Sequence, residues 1–105
     1  MSINQLPLKM RNAIKELQDT ILVRYPDALF EVDEGEEADN VNLYVTVDLV
    51  DTDPVLDLVI DRVMDLQLHQ QVPIHVRPRR TPEREAQVYE EELKARGSSY
   101  KLSLA

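Results

Sequence analysis

An α+β fold, a two-layer sandwich of element order α-β-β-α-β-α, is predicted by three features of the sequence. An apolar stripe at helical spacing runs through residues 7–24, and apolar and polar residues alternate through 41–50. Asp53-Pro54 and Thr81-Pro82 each set a proline directly after a helix-capping residue. The implied sheet is mixed and three-stranded, backed by helices, with a short fourth strand as an option for the C-terminal tail. At 105 residues the chain suits one domain and is too short for two. A single α/β domain is expected over 1–97, followed by a tail over 98–105.

The first helix follows from Met10, Ile14, Leu17 and Ile21, which share one face while Lys9, Arg11, Lys15, Glu16 and Asp19 fall on others. Pro7 is tolerated only in a first turn, which puts the start near Leu6, and Pro26 disfavours helical geometry at Tyr25 and so ends it. Strands are expected over 28–33 and 41–50. In the second, Val41, Leu43, Val45, Val47 and Leu49 alternate with Asn42, Tyr44, Thr46, Asp48 and Val50. The acidic run Glu34–Asn40 between them reads as a solvated, mobile hairpin loop. Asp53 is the expected N-cap of a second helix whose stripe comprises Val55, Leu56, Val59, Ile60, Val63 and Met64. Val72–Arg77 gives a third strand, placed parallel to the second by the crossover rule. Thr81-Pro82-Glu83 starts a third helix that Gly97 is expected to stop, and Tyr100, Leu102 and Leu104 then alternate with Lys101 and Ser103.

Composition excludes several classes of function. With no Cys there are no disulfides, thiolate metal sites or thiol nucleophiles, and the cytosol is the expected compartment. No apolar run approaches the roughly 20 residues of a membrane span, and the N-terminus does not read as an export signal. The net charge of −8 is unevenly placed: residues 25–61 hold twelve acidic side chains and no Lys or Arg. This disfavours nucleic acid and anionic membranes as partners.

The order of elements, with Thr81-Pro82-Glu83 following a strand that contains Ile74-His75-Val76, resembles that of type II KH domains and BolA-like proteins. A KH domain grips nucleic acid with a GXXG loop, which a chain whose glycines are Gly35 and Gly97 lacks. A BolA-like protein carries Arg-His-Arg in its second helix, where this chain offers Arg62 and His69. The resemblance therefore implies a topology and no function.

Four constellations carry chemistry. Strand residues pointing away from the helices gather Glu31, Asp33, Tyr44, Thr46, Asp48, His75 and Arg77 into a polar sheet face suited to docking a partner. Arg77, Arg79, Arg80 and Arg84 concentrate guanidinium groups at a strand end and a helix N-terminus. There they either bind an anion or RNA, or pair with carboxylates of the 25–61 segment or of Asp57, Asp61 and Asp65. Asp48, Asp51 and Asp53, with His75, offer oxygen and nitrogen donors to Mg²⁺ or Mn²⁺ and hence a metal-dependent enzyme as one alternative. His69 and His75 lack the spacing of a joint zinc site, and His69 suits the negative end of the second helix. The favoured expectation is a cytosolic binding or regulatory protein without catalytic residues, cofactor or metal. It acts through protein contacts as a homodimer, the third helix and tail having no obvious place in a monomeric core.

Overall fold

A computed structural model of the chain describes the backbone of residues 6–34 and 40–104 and the side-chain surroundings of 6–33 and 40–95. Three helices and three strands follow in the order α1 (Leu8–Arg24), β1 (Leu29–Glu34), β2 (Val41–Val47), α2 (Asp53–Leu68), β3 (Ile74–Arg80) and α3 (Pro82–Leu104). The sheet order is β1-β2-β3, with β1 antiparallel and β3 parallel to β2, so the sheet is mixed and open. Residues 35–39, the centre of the acidic hairpin loop, lie outside the described residues.

One sheet face and two helices make the core. α1 buries Met10, Ala13, Ile14, Leu17 and Ile21, and α2 buries Val55, Val59, Val63 and Leu66. Both sets join Val41, Leu43, Val45, Val47, Ile74 and Val76 in one apolar cluster, in which Ile14, Leu43 and Ile74 are fully buried. The strict alternation along β2 is the pattern of a strand with one covered face.

Several boundaries differ from the sequence reading. α1 starts at Leu8 with Pro7 as N-cap, and Leu6, although outside the helix, is buried against it. The stripe of α2 is narrower than expected: Met64 is exposed and Leu66 is buried, because positions 55, 59, 63 and 66 track a single line toward the sheet and α1. Asp53 is not the N-cap of α2. That position belongs to Thr52, and the Asp51 carboxylate accepts the Asp53 N–H at 3.0 Å. At the other end Gln71 takes the left-handed region, at φ 56°, to turn the chain into β3.

β2 ends at Val47 rather than Val50, and β3 continues through Pro78 to Arg80 rather than stopping at Arg77. Pro78 is tolerated because among the described residues β3 pairs only with β2, and a proline on an edge strand forfeits no ladder bond on its free side. The largest difference is α3. Gly97 does not stop it, and the segment expected as a tail or fourth strand is helical to Leu104. Val88 is buried, whereas every residue from Tyr89 to Ala95 is exposed. The molecule is correspondingly elongated, with extents of 59 × 30 × 25 Å and a radius of gyration of 17.5 Å. A compact chain of this length has a radius of about 13 Å.

Candidate functional site

The strand register builds the uncovered sheet face in three rows. Leu29, Thr46 and Arg79 form one, Glu31, Tyr44 and Arg77 the next, and Asp33, Asn42 and His75 the third. Arg79 lies across the first two. Its Nη2 donates to Glu31 Oε2 at 2.6 Å, its Nε donates to Thr46 Oγ1 at 3.1 Å, and its guanidinium sits 4.8 Å from the centre of the Tyr44 ring. Arg77 Nε donates to Asn42 Oδ1 at 3.3 Å, and among the described residues Arg77 has no carboxylate in ion-pair contact. His75 Nδ1 lies 3.5 Å from Gln67 Nε2, which also donates to the Ile74 carbonyl at 2.6 Å. The face therefore presents a half-buried aromatic ring and an exposed leucine among ordered polar groups.

Six of the seven residues expected on this face lie there. The exception is Asp48, which falls beyond the end of β2 and accepts from Arg84 Nε at 2.8 Å. That contact, with a lesser one from the Thr81 hydroxyl, holds the Asp48 carboxyl below its ordinary value of 3.8 and raises the pKa of the Arg84 guanidinium. The expectation omitted Leu29, Asn42 and Arg79 from the face. The alternation of β3 contains the signal for Arg79, but only a strand that continues through Pro78 makes it readable.

The arginine cluster is divided rather than gathered. Arg77 and Arg79 lie on the open face, while Arg80 donates to the Val50 carbonyl at 2.6 Å and to Glu85 at 3.1 Å, and Arg84 serves Asp48 and Gln87. Alternation along β3 sends Arg79 and Arg80 to opposite sides. The expected pairing with the acidic segment holds for Arg79 with Glu31, and Arg84 follows it with Asp48. The acidic stripe of α2 does not take part: Asp65 pairs with Arg62 and His69 instead. Arg62 also makes a two-pronged contact with Glu16 of α1, at 2.6 and 2.9 Å, and its pKa is raised chiefly by that contact.

Asp48, Asp51, Asp53 and His75 do not converge, and among the described residues no three His, Asp or Glu side chains form a group able to hold a metal ion. Asp48 and Asp51 instead hold Arg84 and the start of α2. His69 caps the C-terminal end of α2, with Nδ1 3.0 Å from Asp65 Oδ1, well placed against the negative end of the helix. A shallow cleft of about 150 Å³ lies between α1 and α2, lined in part by Lys9, Asn12, Glu16 and Arg62. It is small for an organic ligand. No described helix is long and apolar enough to cross a membrane.

No protein family, curated protein or solved structure matches the chain.

Proposed function

We propose that this is a small cytosolic binding or regulatory protein that acts through protein-protein contacts, as a homodimer, with its open sheet face as the docking surface. The observation that carries the reading is the state of the arginines: Arg79, Arg80 and Arg84 are each engaged by a carboxylate of their own chain. A phosphate ligand would have to displace those contacts on a molecule of net charge −8. A protein partner would not, because the ordered side chains around Tyr44 and Leu29 already form the mixed polar and aromatic surface that interfaces favour.

Affinity capture with the wild-type protein and with Tyr44→Asp tests the reading, since Tyr44 sits centrally on the face and its replacement leaves the core side untouched. A protein partner retained by the wild type and lost by the variant is the expected result. Equal retention by both overturns the docking face. Tight binding of short RNA that weakens steeply as salt rises overturns the protein-contact reading in favour of an anion binder.

A further inference from the structure

α3 leaves the body of the protein almost at once. A single residue, Thr81, connects it to β3, and that junction is firmly pinned. The Thr81 N–H donates to the Val47 carbonyl at 3.2 Å, the Thr81 hydroxyl accepts the Arg84 N–H at 3.1 Å, Arg84 holds Asp48, and Arg80 holds Glu85. So short and so tied a connection does not allow α3 to fold back over its own sheet. Beyond Val88 the helix nevertheless continues for residues 89–104 with its described side chains exposed, a length that is marginal for an isolated helix in water.

The exposed part of α3 has a definite chemistry. Ala86, Tyr89 and Leu93 share one side at helical spacing, with Tyr89 60% and Leu93 49% exposed, and Glu90 and Glu92 flank that side. The open sheet face is its complement. It offers Leu29, 66% exposed, the Tyr44 ring, and Arg77, the cation there without a carboxylate among the described residues. The dimensions also agree: residues 89–104 of a helix extend about 24 Å, and a seven-residue strand such as β2 about 23 Å.

We propose that α3 of one copy lies across the open sheet face of a second copy and receives the second copy's α3 in return. Tyr89 and Leu93 then pack on Tyr44 and Leu29, and Glu90 and Glu92 flank Arg77. The inference rests on the docking face proposed above and names its occupant as a second copy of this chain.

The test is light scattering and equilibrium sedimentation of the full chain, with circular dichroism to verify that each variant is folded. The wild type is expected at twice its 12.1 kDa chain mass. Arg77→Glu is expected to weaken the dimer at least tenfold, as is the double variant Glu90→Lys/Glu92→Lys. Mixing the two variants should restore a heterodimer, because the altered helix of one then meets the altered face of the other, and the remaining helix and face are both unaltered. A monomer at all concentrations overturns the proposal. So does a dimer indifferent to Arg77→Glu but weakened by the α3 variant, which would mean that two α3 helices pair with each other. If Tyr44→Asp abolishes capture of a different protein while the chain stays monomeric, the docking face stands, and this inference fails together with the homodimer of the proposed function.

Discussion

Asp48 shows how one carboxylate can lose a ligand-binding role to a structural one. It belongs to the acidic turn after β2, and its spacing from Asp51 and Asp53 suits an oxygen-ligand metal site until the position of Arg84 is known. The guanidinium comes from 36 residues away in sequence, a distance at which no local pattern signals the pairing. Because the folded pKa is depressed, the contact stabilises the fold fully above the ordinary value of 3.8 and is lost as pH falls through the lower folded value. Thermal melts of the wild type and Asp48→Asn should therefore differ by a constant margin above about pH 5, a margin that closes on acidification below about pH 4. The pair is exposed, so added salt should narrow the margin at neutral pH as well. A margin that widens toward acid would refute this account.

At the scale of elements, what was legible is what periodicity encodes. The stripe of α1, the alternation of β2 and the proline signals before α2 and α3 place every element in order, since burial of one face leaves a direct imprint on local sequence. Leu17, buried within α1, should lose about 2–5 kcal/mol on replacement by Ala. Val23, near the end of the same helix and 88% exposed, should lose no more than about 0.5 kcal/mol. Urea unfolding of the two variants checks the contrast, and equal losses would mean that the packing face is misassigned. What was not legible depended on neighbours. Pro78 reads locally as a strand end and is tolerated because it stands on an edge. Gly97 reads as a helix stop, yet α3 continues past it. The face itself was legible in six residues; Arg79 lay beyond the strand end read at Arg77, and Leu29, although in step with Glu31 and Asp33, is apolar and does not read as solvent-facing.

For the whole molecule, charge and shape act together. Self-repulsion at −8 keeps copies apart except where a basic side chain meets an acidic one, so contacts between copies should be selective at neutral pH. Near the isoelectric point of about 4.6 that selectivity should vanish. Turbidity against pH is expected to peak there and to clear on either side, and a flat profile would show that net charge does not govern association. The parallel pairing of β2 with β3 has a further consequence, for the order of folding. Thr46 and Arg79, bonded in the native sheet, are 33 residues apart, whereas β1 and β2 are joined by a short hairpin. Loop-closure entropy therefore favours early formation of the β1–β2 hairpin and delays β3 until α2 has docked on it. α3, joined to β3 through Thr81 and held there by the Arg80–Glu85 pair, is anchored only after that step, so the molecule completes its core before its outstretched helix is set in place.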